Sequence, residues 1–385
     1  MDTAFPYSQY VTGKNFIGRK ADCVLLGNLL SQGEHVSIYE PPKTGKTSLI
    51  QQTLFNMRMS GKSFVVGQLS CLNIRTAEGF LTRLGSTVIR MVASTPAEYG
   101  QICRQYLDGT HFVFDTKAFA DRDQVLSLSW EMDQEDILAL LRLPFRIAAD
   151  RGQKLILILD EFQNISFTED DGDRLIRPLA AVIKEMAEAG QRNFCFLFCG
   201  SRVNAMKEIF ERSILLRRRV EHVALSPVEE REIADHVQKG FTASGKVINR
   251  DLLLGAAKLL KSHLWYINNF AFICDAMTRG YIMEPVLVEA LESLVAIHEP
   301  RFRAMVSGLT THQVNFLKAT VDGVTRFSAS DIIRKYSLNS SANVKRVKDA
   351  LMHKELLTFD EADTPSFQDP LFEYWVRKYY FEVAE

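Results

Sequence analysis

The sequence predicts an α/β fold: a parallel sheet sandwiched by helices, then a helical domain, then a small domain of three helices and a two-stranded wing. Three observations predict it. Four short apolar runs alternate with helical patterns up to about residue 225, strand signals stop at about residue 227, and residues 301–385 read as helices followed by a hairpin around an acidic turn.

Residues 1–15 form an N-terminal extension, and the sheet domain occupies 16–225. Its apolar runs are VSIY (36–39), FVVGQLS (64–70), LILIL (155–159) and FCFLFC (194–199), too short for helices of the same burial. Continuous rather than alternating apolarity means that both faces of each strand are covered. Between the runs lie helical patterns, LLGNLLSQ, TSLIQQTLFNMRM, EGFLTRLGSTVIRMV, QEDILALLRLPFRIAA and LIRPLAAVIKEMAEAG, and this alternation argues for parallel strands. Residues 92–134 break it and read as an insertion of irregular and helical pieces. Ser226, Pro227, Glu229 and Glu230 combine a capping serine, a first-turn proline and acids suited to the positive end of a helix dipole, so a helical lid domain is expected to begin there and to run to about 300. From 301 onward, LTTHQVNFLKAT, SASDIIRKYS and SANVKRVKDALMHK predict three helices and LLTFDEADTPSFQD two strands, the pattern of a winged helix-turn-helix.

Composition narrows the function classes. The 385 residues carry 46 Lys+Arg against 47 Asp+Glu, so no global field draws the chain to nucleic acid or to an anionic membrane. No apolar run reaches the roughly 20 residues of a membrane span and MDTAFPYSQY lacks the regions of a signal peptide, so a soluble, cytoplasmic protein is expected. The six cysteines form no C-x-x-C pair, which suggests neither zinc nor a disulfide framework. Cys195 and Cys199 read as small buried residues of a strand rather than as a redox pair.

The chemistry concentrates in SIYEPPKTGKTSLI, residues 37–50, where Gly45, Lys46 and Thr47 close the phosphate-binding pattern Gly-x4-Gly-Lys-Ser/Thr. The loop lies between an apolar strand and an amphipathic helix, the arrangement in which N–H groups opening a helix attract an anion. Lys46 would reach the β- and γ-phosphates of a nucleotide, and the Thr47 hydroxyl would hold Mg2+. LILILD pushes Asp160 out of the carboxyl edge of the sheet as a second metal ligand, and Glu161 beside it could polarise a water for hydrolysis. NFCFLFCGSR brings Ser201 or Arg202 to the same edge as a sensor of the γ-phosphate. Among Arg217, Arg218 and Arg219, Arg218 is the first choice for a guanidinium aimed at the transferring phosphoryl group.

With these parts in order, residues 14–385 resemble the archaeal-type ATPases of the STAND and AAA+ group of P-loop proteins. FIGR, Phe16 to Arg19, looks like that group's entry motif, which implies that Phe16 and Ile17 lie by the adenine. EPPKTGKTS is similar to its phosphate loop, LILILDEFQNI to its acidic strand, and GSR with ILLRRR to its sensor and arginine segments. FQDPLFEYWVRKYY, 367–380, matches the Asp-Pro-aromatic-x-x-Trp tail of its C-terminal winged helix. The resemblance implies ATP or ADP and Mg2+ as ligands. The chain departs from it where Ser262, His263 and Leu264 replace Gly-His-Pro, and where Leu216 and Arg217 replace the Tyr-Gly before the family arginine.

The third C-terminal helix carries Lys345, Arg346, Lys348 and Lys354 opposite Val344, Val347 and Leu351, but its wing is acidic at Asp360, Glu361 and Asp363. The 12 basic and 11 acidic residues of 301–385 leave a net of about +1, a poor grip for DNA. An ATP-dependent switch, a nucleotide-bound DNA-binding regulator and a scaffold for an unidentified protein partner therefore all stay open, as does the oligomeric state.

Glu40 stands where the loop's first glycine belongs. Pro41 and Pro42 have no N–H to donate, so donors must come from Thr44, Gly45, Lys46, Thr47 and Ser48. A glutamate fits at 40 if its φ stays negative, and the loop is expected to bind Mg-ATP still, more weakly than a glycine version because a carboxylate near polyphosphate is repulsive. Glu40→Gly should tighten nucleotide binding in calorimetry; unchanged or weaker binding would refute the repulsion.

Overall fold

The computed structural model describes residues 4–167 and 173–383. The chain resolves into two compact units, one built from Ala21–Glu40 and Gln52–Leu225, the other from Met1–Lys20, Pro41–Gln51 and Ser226–Glu385.

The first unit holds strands β1 (Val36–Tyr39), β2 (Val65–Ser70), β3 (Phe112–Val113), β4 (Ser127–Leu128), β5 (Leu155–Asp160), β6 (Phe194–Gly200) and β7 (Glu221–His222). Five of them form a parallel sheet in the order β2-β5-β6-β1-β7. The register pairs Ser70 with Asp160, Leu159 with Phe198 and Tyr39 with Gly200, so the carboxyl ends of the central strands share one edge. Every residue of β1 and β6 is buried, as is β5 up to Leu159, which is the physical meaning of their unbroken apolarity. Phe194 meets Phe145 at 4.7 Å and Phe198 meets Phe162 at 4.6 Å between ring centroids. Each such side chain contributes about 1.5–3 kcal/mol on burial.

The helices of the chain up to Leu225 are α1 (Lys20–Gln32), α2 (Lys46–Met59), α3 (Ala77–Val92), α4 (Pro96–Tyr106), α5 (Thr116–Arg122), α6 (Gln134–Arg151), α7 (Asp173–Glu188) and α8 (Val203–Lys207). Helix α3 packs on β2 and α6 on β6. The insertion at 92–134 is more ordered than its sequence suggests, because its caps are strong. Thr95 and Glu98 form a reciprocal capping box on α4, Asp115 caps α5, and Asp133 with Asp136 caps α6. Between these helices β3 and β4 pair antiparallel. All six cysteines are buried thiols, and burial pushes the Cys195 thiol up to about 12.

The second unit contains helices α9 (Glu230–Ala243), α10 (Arg250–Leu259), α11 (Leu264–Met277) and α12 (Glu284–Ser307), with a short parallel pair β8 (Val247–Ile248) and β9 (Tyr281–Ile282). Ser226 and Pro227 do not start a helix, contrary to the sequence signal. Helix α9 begins at Glu230 after an extended Glu229, because the Ser226 carbonyl accepts from the Arg19 guanidinium at 2.9 Å and Val228 is drawn into the core. Helix α12 carries the chain past residue 300 without a break.

Helices α13 (Thr311–Val321), α14 (Ser330–Lys335) and α15 (Ser341–His353) precede the antiparallel hairpin of β10 (Leu357–Phe359) and β11 (Pro365–Phe367), then α16 (Pro370–Trp375) and a π-helical turn. Val344, Val347 and Leu351 are the buried face of α15, as its periodicity requires. Lys348 forms an ion pair with Asp363 of the wing and lies 4.2 Å over the Phe359 ring. No helix among the described residues is long and apolar enough to cross a membrane.

One contact makes the insertion pH-sensitive. His111 Nδ1 lies 2.8 Å from Asp136, whose carboxylate also accepts from the His111 and Asp133 main-chain N–H groups. The hydrogen bond to Asp136 raises the His111 pKa above its usual 6.5. A raised folded-state value means that this stabilisation is fully present below about pH 6.5 and is lost as pH rises through the folded pKa. Amide exchange over residues 111–128 is therefore expected to quicken from pH 6 to pH 8 beyond the intrinsic rate change. In His111→Asn that excess should vanish; an identical excess in the variant would contradict the assignment.

Candidate functional site

The site is built around the segment joining β1 to α2. Glu40 is not among the residues with positive φ, so an L side chain fits there without strain; the chain turns instead at Lys43, φ 67°, and Gly45, φ 101°. A Cβ on Gly45 would stand 2.9 Å from Arg19 Nη1, the far end of a flexible side chain, so it is φ rather than space that calls for glycine. Thr44 Oγ1 and Lys46 Nζ both donate to the Pro41 carbonyl, at 2.8 and 2.9 Å. The ammonium thus turns back on its own loop, where an acceptor offsets its partial burial. The Glu40 carboxylate accepts from the Leu225 N–H at a long 3.4 Å.

The FIGR motif packs against this loop. Gly18 adopts φ 62°, and its would-be Cβ lies 2.9 Å from a Val228 methyl, while its N–H donates to Glu232 at 2.8 Å. Arg19 donates from Nη1 to the Thr44 carbonyl at 2.7 Å and from Nε to the Ser226 carbonyl. One guanidinium thereby ties the phosphate loop to the segment entering α9.

The N-terminal residues close the same region. Phe5 is buried against Phe241 at 4.7 Å. The Pro6 and Tyr7 carbonyls accept from Asn268 Nδ2 and Trp265 Nε1 at 3.2 and 2.6 Å, and the Val11 N–H donates to Ser48 Oγ at 3.0 Å. Lys43 Nζ lies 5.4 Å over the Trp265 ring. Pro6, Tyr7, Val11, Lys43, Trp265 and Asn268 line a cavity of about 260 Å³ together with Phe16, Ile17, Thr44, Gly45, Lys46, Thr47 and Ser48.

At the Gly-His-Pro position, Lys261 and Ser262 take φ 48° and 57°, the left-handed turn that the related motif gives to glycine. His263 then caps α11, its Nδ1 accepting from the Tyr266 N–H at 3.4 Å. Burial holds this ring neutral, with a pKa lowered to about 4. With Nδ1 accepting, the neutral imidazole carries its proton on Nε2. Tyr266 in turn donates its hydroxyl to Asp369 at 2.9 Å, and Asp369 pairs with Arg301 and caps α16.

In the sheet unit, Asp160 ends β5 and its Oδ1 accepts from the Glu161 N–H at 3.1 Å. Glu161 has φ 53°, a conformation costing about 1 kcal/mol or more, and its carboxylate accepts from Ser201 Oγ at 2.7 Å and from Gln163 Nε2. Ser201 and Glu161, assigned separately as γ-phosphate sensor and water-polarising base, are therefore one hydrogen-bonded pair. Arg217 and Arg218 are exposed, while Arg219 donates to the Leu215 carbonyl at 2.8 Å.

Sequence reasoning missed Arg19, Lys43, Trp265, Asn268 and the whole stretch 5–11 as parts of the site. Arg19 had a signal, its place in FIGR. The others engage main-chain carbonyls or a ring face, which leave no spacing to read.

No curated protein sequence matches the chain significantly. The family described as "Probable winged helix domain" matches residues 300–378. Among solved structures, a Walker-type ATPase of Pyrococcus abyssi is similar at TM-score 0.67 and 15% identity, covering 97% of this chain and 100% of its own. The ORC2 protein of Aeropyrum pernix, solved as ADPNP–ADP complexes, is similar at TM-score 0.57 and 14% identity, with 96% and 93% covered. The chain therefore has the fold of P-loop ATPases, with a C-terminal winged helix.

Proposed function

We propose that this chain is an Mg-ATP-binding switch that hydrolyses ATP slowly and relays nucleotide state to its winged helix. One observation carries the reading: Lys46 and Thr44, which both donate to the Pro41 carbonyl, line a cavity that Phe16 and Ile17 also line. That cavity offers an ammonium, helix-opening N–H groups and an aromatic and an aliphatic side chain, the donor set that a nucleoside triphosphate needs. The nucleotides held by the similar ORC2 protein support it.

In this reading Lys46 leaves the Pro41 carbonyl for the β- and γ-phosphates, and the N–H groups of Thr44 to Ser48 cradle the rest. The Thr47 hydroxyl and Asp160 carboxylate are hard oxygen donors that suit Mg2+, which when bound neutralises charge on the phosphates. Glu161 orients the attacking water and accepts its proton, Ser201 holds the Glu161 carboxylate, and Arg218 stabilises charge on the transferring group. His263, Tyr266 and Asp369 give the relay a physical form, since α11 lends Leu264, Trp265 and Asn268 to the cavity, and a shift of that helix would alter its His263 cap and, through the Tyr266 hydroxyl, the Asp369 cap of α16. A DNA-binding regulator is the second reading, favoured by exposed Lys345 and Arg346 on α15 and weakened by the pairing of Lys348 with Asp363. Residues 92–134 or the winged helix would meet a protein partner.

Thermal unfolding tests the binding step. At a hundred times its Kd, Mg-ATP is expected to stabilise the protein by about 2.7 kcal/mol. ADP should also stabilise it, and Lys46→Ala should lose most of the effect. Steady-state phosphate release should fall to background in Glu161→Gln while binding persists. A transition unmoved by millimolar Mg-ATP, or full affinity in Lys46→Ala, would overturn the proposal.

A further inference from the structure

Asn268 has half of its amide left over. Its Nδ2 donates to the Pro6 carbonyl at 3.2 Å, and since a carbonyl can only accept, this contact fixes which end of the amide is nitrogen. The other end, Oδ1, is then an acceptor by necessity. It is shielded from solvent and has no hydrogen-bond partner among the described residues. A buried amide oxygen without a donor is costly and calls for a partner. Asn268 lines the same cavity as Phe16, Ile17 and Trp265.

We infer that Asn268 is the specificity-determining residue for the base, its Oδ1 accepting a hydrogen bond from the exocyclic 6-amino group of adenine. This rests on the nucleotide reading and names what that reading leaves open, the means of choosing one purine over another. The chemistry is asymmetric. A 6-amino group offers the proton that Oδ1 lacks, whereas the 6-oxo group of hypoxanthine or guanine would set one acceptor against another and leave both unpaired. Pro6 has a part in this: by taking Nδ2 it prevents the amide from flipping to suit an oxo group. The N-terminal residues thereby lock the selectivity of a side chain on α11.

The test uses ATP and ITP, which share the ribose and triphosphate and differ at the 6-position together with the protonation of the neighbouring ring nitrogen. Affinities are measured by calorimetry on the full chain, and their ratio cancels any general weakening of the pocket. Wild type should prefer ATP by about tenfold or more, the worth of one unpaired buried group. Asn268→Leu should bring the two within about twofold. Asn268→Asp keeps the acceptor while giving up the donor to Pro6, and should retain the preference for ATP. Equal affinities in wild type overturn this inference and leave nucleotide binding standing, as does an ATP preference that survives in Asn268→Leu. Loss of preference in both variants also overturns it, because it points to the Pro6 contact alone. If wild type binds neither triphosphate, the nucleotide reading fails and this inference with it.

Discussion

The Pro41 carbonyl is the contact on which the loop depends. Two prolines in succession remove N–H groups from the start of the turn, so the loop cannot be closed by main-chain hydrogen bonds there. A side-chain hydroxyl and an ammonium close it instead, both directed at one oxygen. For an ammonium a phosphate anion is a stronger acceptor than a neutral carbonyl. The left-handed turns at Lys43 and Gly45, rather than position 40, bear the conformational demand, which is why a glutamate is accommodated where related loops carry glycine.

The sheet was legible because burial on both faces writes itself as unbroken apolar runs: VSIY, LILIL and FCFLFC became β1, β5 and β6 almost to the residue. The helices of the winged domain were legible for the complementary reason, since Val344, Val347 and Leu351 repeat at helical spacing over a solvated basic face. Local signals failed where a tertiary contact outcompeted them. Ser226–Pro227 has every mark of a helix start, yet Arg19 captures the Ser226 carbonyl and Val228 is pulled into the core. The insertion hid its order because its caps, Thr95 with Glu98 and Asp133 with Asp136, sit among residues whose apolar period is short.

The candidate site divides in the same way. Gly45, Lys46, Thr47 and Asp160 stand out in the sequence by their spacing and by their place after apolar strand runs. The N-terminal stretch does not, since the Pro6 and Tyr7 main chain makes its contacts and any sequence has carbonyls to offer. The link between Glu161 and Ser201 was equally invisible, being formed by residues 40 positions apart that meet only once β5 and β6 are neighbours. Ser262 shows the converse: the missing glycine of the related motif reads as a loss, but the structure keeps the left-handed turn with a serine in it.

The most direct test of the account is a crystal structure with Mg2+ and a non-hydrolysable ATP analogue, read at one atom. The account requires Lys46 Nζ, 2.9 Å from the Pro41 carbonyl here, to leave that oxygen for the β- and γ-phosphate oxygens, with Phe16 and Ile17 beside the base. An analogue bound in this cavity with Lys46 still on Pro41, or bound elsewhere with the cavity unchanged, would contradict it.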